Sequence, residues 1–113
     1  MTGLTTHVLD TTHGRPAEGV GLRLIRDGQV LVQARTNADG RCDAPLMTAE
    51  TITAGTFRLE FEIGAYFRSA GVALPEPAFL ETVGIDFGIA DTAAHYHVPL
   101  LVSPFGYSTY RGS

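Results

Sequence analysis

Residues 56–63 read Thr56-Phe57-Arg58-Leu59-Glu60-Phe61-Glu62-Ile63, with Phe57, Leu59, Phe61 and Ile63 alternating strictly with Arg58, Glu60 and Glu62. A two-residue period puts all four apolar side chains on one face and the three charges on the other. That pattern suits a strand lying between a core and water, whereas a helix would scatter the charges around its circumference. The stretch predicts a half-buried β-strand, and it sets the class of the domain.

The same period recurs on both sides. Towards the N-terminus, Val30, Val32 and Ala34 alternate with Leu31, Gln33 and Arg35, and Val20, Leu22 and Leu24 with Gly21 and Arg23. Between them lies Asp27-Gly28, a hairpin signal because both central positions of a two-residue turn favour positive φ. Leu4 to Thr12 forms another strand pattern, closed by the turn cluster His13-Gly14-Arg15-Pro16, in which His13 is expected to be solvated. Asn37-Ala38-Asp39-Gly40 is a further turn and leads into Arg41; residues 42–55 carry no clear period. Towards the C-terminus, Ala65 to Ala70 is apolar on a helical spacing, with Gly71 placed to cap it. Val83, Ile85, Phe87 and Ile89 give another strand. Seven or eight short strands and one helix predict an antiparallel β-sandwich.

Tyr96 to Val102 departs from the rule. One face carries Tyr96, Val98, Leu100 and Val102 and the other His97, Pro99 and Leu101, so both are largely apolar. One face of such a strand normally meets water, and the pattern implies that a partner subunit covers the second face. Pro104-Phe105-Gly106 turns the chain into a last strand, Tyr107 to Ser113.

Composition narrows the function classes. The 113 residues predict one domain, 1–113, with 44% apolar and 18% charged residues, long enough to bury a core without staples. A net charge of −4 argues against nucleic acid or an anionic membrane as partner. The single cysteine, Cys42, allows no intrachain disulfide and fits a reducing compartment. No signal-peptide pattern and no apolar run of membrane-spanning length is visible, so a cytoplasmic protein is expected.

His95-x-His97 places two imidazoles on one strand face, a spacing compatible with metal ligation, but histidines hydrogen-bonded within the sheet are the simpler expectation. Phosphate loops and nucleophile elbows are absent. What stands out are polar groups in apolar company: His7 within the first strand, Arg41 after its turn, His97 in the doubly apolar strand, and Arg111 and Ser113 on one face of the last.

Three segments carry a resemblance. Leu4-Thr5-Thr6-His7-Val8-Leu9-Asp10-Thr11, the turn Asp39-Gly40-Arg41, and Tyr96-His97-Val98-Pro99-Leu100-Leu101 resemble the 5-hydroxyisourate hydrolases, the transthyretin-like enzymes of urate degradation. Tyr110-Arg111-Gly112-Ser113 matches that family's tetrapeptide signature. The resemblance implies two four-stranded sheets, a short helix after the fifth strand and a homotetramer built as a dimer of dimers, with active sites where dimers meet. It implies hydrolysis of 5-hydroxyisourate, in purine catabolism, without metal or cofactor. His7, Arg41 and His97 are then the catalytic residues; Ser108, Tyr110, Arg111, Gly112 and Ser113 complete the pocket. His97 is the favoured general base, with His7 orienting the water and Arg41 stabilising developing charge. The alternative on the same fold is a transthyretin-type carrier of thyroid hormone, which would have lysine for His7 and lack the other hydrolase segments.

Overall fold

The computed structural model describes residues 2–112. The strands are β1 (Gly3–Asp10), β2 (Arg15–Pro16), β3 (Gly21–Arg26), β4 (Gln29–Arg35), β5 (Gly55–Glu62), β6 (Thr82–Ile89), β7 (His95–Ser103) and β8 (Gly106–Thr109), with one helix, α1 (Ile63–Ser69), after β5. They form two four-stranded sheets, ordered β2-β1-β7-β8 and β4-β3-β5-β6.

The alternating stretch is an interior strand of the second sheet, antiparallel to β3 on one side and β6 on the other. Its inward residues Phe57, Leu59 and Phe61 are buried with Leu22 and Leu24 of β3 and Val83 and Ile85 of β6. The first sheet brings Leu4, Val8, Val98, Leu100 and Val102 to the same core. On the outer face Arg23 and Arg58 both bridge Glu60, at 2.8 and 2.9 Å. Each partly exposed pair adds little, but together they keep that face polar. Asp27 and Gly28 both have positive φ, 51° and 79°, the two-residue hairpin their sequence announces. The helix stops where expected. Gly71 (φ 89°) follows it in a left-handed conformation, and the Val72 and Gly71 amides close back on Phe67 and Arg68, each at 3.0 Å, the paired bonds of a glycine C-cap.

Three local expectations are revised. First, β1 and β7 run parallel, from Gly3↔His95 to Asp10↔Val102, so this pair departs from the otherwise antiparallel pattern. Its strands lie at opposite ends of the chain, with the whole second sheet as their connection, and no hairpin fixes their relative direction. Second, His13 is tied down rather than simply solvated: its Nδ1 lies 2.6 Å from Oδ2 of Asp10, which also accepts the Tyr66 hydroxyl at 2.7 Å. Oδ1 accepts the Thr12 and His13 amides, both at 2.9 Å. Burial alone would raise the Asp10 carboxyl; the bonds from Tyr66 and His13 outweigh it and hold the group below its ordinary value. Desolvation, with the bond to Asp10, pushes Tyr66 up to about 12. Third, the last strand ends at Thr109, and beyond it the backbone meets β7 in an isolated bridge, His97↔Gly112.

Candidate active site

The alternation in β1 and β7 sorts their side chains. Leu4, Thr6 and Val8 go inward with Tyr96, Val98 and Leu100, all buried. Thr5, His7, His95 and His97 are therefore left on the outer face of the first sheet. Parallel register sets Thr5 opposite His97. The Thr5 hydroxyl lies 2.8 Å from His97 Nδ1 and 3.1 Å from His95 Nε2. One hydroxyl thus links two imidazoles that are two positions apart on β7.

Arg41 arrives from the loop after β4. Gly40 takes a φ of +74°, and a Cβ there would collide with the carbonyl of Val8, so the chain passes β1 at a distance only glycine permits. The Val8 amide donates to the Gly40 carbonyl at 2.8 Å. This docking pairs Arg41 with His7 in an isolated bridge, and the Asp39 carbonyl receives His7 Nε2 at 2.8 Å. Asn37 organises the turn: its Oδ1 accepts the amides of Asp39 and Arg41, at 2.9 and 3.2 Å.

Between this loop and the two strands lies a cleft of about 380 Å³, lined by Thr5, Thr6, Arg41, Cys42, Leu46 and the two β7 histidines, with Ala44. Burial, reinforced by the charge of Arg41 and by His7 and His95, holds His97 below its ordinary value of 6.5, so it is neutral at pH 7. Burial likewise raises the Cys42 thiol, and the Asp43 charge adds to this. Cys42 packs against the core as a small side chain. A larger hollow, about 820 Å³, lies on the other sheet beside Arg58, Glu60 and Asp86. Its charges are already paired with one another, which leaves it little chemistry to offer.

His7, Arg41 and His97, predicted separately, are thus brought to one face. The tail residues divide. Gly112 lies against the ring: its amide donates to the His97 carbonyl at 2.7 Å, and a Cβ on it would stand 2.6 Å from His97 Cδ2. Arg111 stacks its guanidinium 4.2 Å over the Tyr96 ring and donates to the His95 carbonyl at 3.4 Å, so it braces β7. Ser108 pairs with Leu101 across β7–β8, further along the strand from His97. Tyr110 is exposed, and Ser113 lies outside the described residues. Sequence reasoning passed over Thr5 and left His95 without a role. Their partnership depends on the parallel register, which no local pattern announces. Among the described residues, no group of three or more His, Cys, Asp or Glu side chains is arranged to hold a metal ion.

A model described as the HIUase/Transthyretin family matches residues 4–112. A protein of Rhizobium meliloti (strain 1021) named 5-hydroxyisourate hydrolase 2 is 60% identical over 114 residues, covering 97% of this chain and 95% of its own. The solved Klebsiella pneumoniae 5-hydroxyisourate hydrolase superposes with a TM-score of 0.84 at 42% identity, covering 100% of both chains. Sea bream transthyretin in complex with thyroxine reaches 0.83 at 30% identity, over 96% of this chain and 93% of that one.

Proposed function

The chain belongs to the HIUase/Transthyretin family, and on that premise we propose that it is a hydrolase that opens the six-membered ring of 5-hydroxyisourate. The product is 2-oxo-4-hydroxy-4-carboxy-5-ureidoimidazoline. The observation that carries this reading is that Arg41 and His97 line one cleft while His7 is bridged to Arg41, bringing together three separate stretches of chain. Both branches of the family share the fold, so the fold does not discriminate between hydrolase and hormone carrier. The polar set does: a carrier needs no proton acceptor or oxyanion partner, and the relative matched at 60% identity is named a hydrolase.

The chemistry follows from the side chains. A neutral imidazole takes a proton from water as its oxygen attacks the ring amide carbonyl. Negative charge then gathers on the carbonyl oxygen, where the planar donor fork of Arg41 meets it. The charge on Arg41 also favours a neutral His97, so one cation serves both tasks. Ser108, Tyr110, Arg111, Gly112 and Ser113 complete the pocket in this proposal. The apolar character of Pro99 and Leu101 on the outer face of β7 supports assembly into a homotetramer whose dimers meet over this face. A cytoplasmic setting belongs to the same proposal; among the described residues no helix is long and apolar enough to cross a membrane.

Urate oxidase can generate the unstable substrate in place, and the decay of its absorbance is followed with and without this protein. Acceleration at catalytic protein concentration is expected. If decay is unchanged while thyroxine binds, the carrier reading replaces this one.

A further inference from the structure

Three hydrogen bonds fix where the site's protons sit. A backbone carbonyl can only accept, so the contact from His7 Nε2 to the Asp39 carbonyl at 2.8 Å requires the proton of neutral His7 on Nε2. Its Nδ1 is bare. The Thr5 hydroxyl has one proton to give, yet it touches His97 Nδ1 and His95 Nε2. Those two nitrogens are its only hydrogen-bond partners among the described residues, so its single proton goes to one ring while a lone pair accepts from the other. His95 Nδ1 decides the direction, because it is buried with no partner among the described residues. An orphaned buried N–H is rarer than an unsatisfied acceptor, so a neutral His95 carries its proton on Nε2 and donates it to Thr5. Thr5 in turn donates to His97 Nδ1, which leaves His97 with its proton on Nε2.

We propose that Thr5 and His95 are positioning residues that hold His97 as the Nε2–H tautomer, and that His7 Nδ1, not His97, is the base. This assignment rests on the hydrolase reading above and reverses the roles expected from sequence. His7 Nδ1 takes a proton from water as the water oxygen bonds to the amide carbon, and the carbonyl π electrons move onto oxygen. His97 Nε2–H and Arg41 hydrogen-bond that oxygen. When the intermediate collapses, the C–N bond breaks and the ring nitrogen receives the proton held on His7 Nδ1. His97 finishes with the proton it started with. A neutral imidazole acting as donor needs resistance to protonation, which burial and the charge of Arg41 supply.

The test is nitrogen-detected NMR of the protein labelled with 15N-histidine at neutral pH; four histidines make assignment by single substitution feasible. The Nδ1 atoms of both His7 and His97 are expected to resonate as unprotonated imidazole nitrogens, with Nε2 protonated. Thr5→Val removes the hydroxyl at nearly constant volume and should release His97 to a mixture of tautomers. It should lower kcat by about tenfold with KM little changed, and Thr5→Ser should restore both the spectrum and the rate. A protonated Nδ1 on His97 or His7 in the wild-type spectrum overturns the assignment. So does a Thr5→Val protein with unaltered tautomer and kcat. The wild-type spectrum requires no turnover and does not depend on Thr5→Val, so it stands if that variant fails to fold. Absent hydrolysis with these tautomers would instead count against the hydrolase reading.

Discussion

Gly112→Ala is the sharpest probe of how the tail serves the site. The added Cβ would lie 2.6 Å from His97 Cδ2 and 3.2 Å from both its Cβ and Cγ, whereas carbon atoms settle about 3.5–4.0 Å apart. Something must give by about 1 Å. The tail is pinned by its amide on the His97 carbonyl at 2.7 Å, and the ring by Thr5 at 2.8 Å. The imidazole swings more easily than the backbone, so the ring moves and its bond to Thr5 stretches. A displacement of about 1 Å in a reacting group costs about 10²-fold in rate, or about 2.7 kcal/mol of transition-state stabilisation. Gly106→Ala, at the start of β8, is the matched control, since its Cβ would meet only Ser103 Oγ at 3.9 Å, an ordinary contact. Both variants would be assayed by the coupled urate oxidase decay, with denaturation curves to verify the fold. A Gly112→Ala enzyme within about twofold of wild type would refute the reasoning, as would an equal loss in Gly106→Ala.

Other expectations concern the scaffold and pH. Tyr66→Phe removes a donor from the buried Asp10 carboxylate and should cost about 1.5–3 kcal/mol in chemical denaturation at pH 7. Because Asp10 is held below its ordinary value of 3.8, its contribution is complete above that pH and fades as pH falls through the lower folded value; the gap between Tyr66→Phe and wild type should narrow in the same window. Gly40→Ala combines a positive φ with a clash against the Val8 carbonyl, and should cost more than about 1 kcal/mol and lower the hydrolysis rate as Arg41 shifts. His97 is depressed below 6.5, so the unfolded chain takes up its proton first. Stability should therefore decline as pH drops through 6.5, and a His97→Gln protein measured in parallel should show a shallower slope.

Residues whose structure follows from near neighbours in sequence were the legible ones. Phe57 to Glu62 announced its strand by period, although Ile63, which continues the alternation, opens the helix instead; Asp27-Gly28 announced its hairpin by backbone freedom, and Gly71 its helix end by the same means. His7, Arg41 and His97 were legible as misplaced polarity and through the resemblance. What escaped were consequences of long-range pairing. Thr5 looks like any strand threonine until the parallel register sets it between two imidazoles. His13 looked solvated because nothing near it in sequence reveals that Asp10 is buried beneath Tyr66. Residues 42–55 lacked a period because all but Gly55, which opens β5, lie outside the named strands and helix. That segment nevertheless delivers Leu46, Met47 and Ile52 to the core, and sets Met47 in a bridge with Leu4.

The parallel β1–β7 pair also governs when function can appear. Thr5 and His97 are separated by 92 positions, so every contact in the cleft between them closes a very long loop. Contacts of that separation are slow to form. The second sheet, made of β3 to β6, can be complete on an emerging polypeptide while β1 still waits for its neighbour. The cleft comes into being only after the ribosome has passed β7 and Gly112. Catalysis thus doubles as a readout of finished tertiary structure: truncated or half-folded products would hold His7 and Arg41 yet hydrolyse nothing, and recovered activity during refolding should lag behind the burial of Phe57, Leu59 and Phe61.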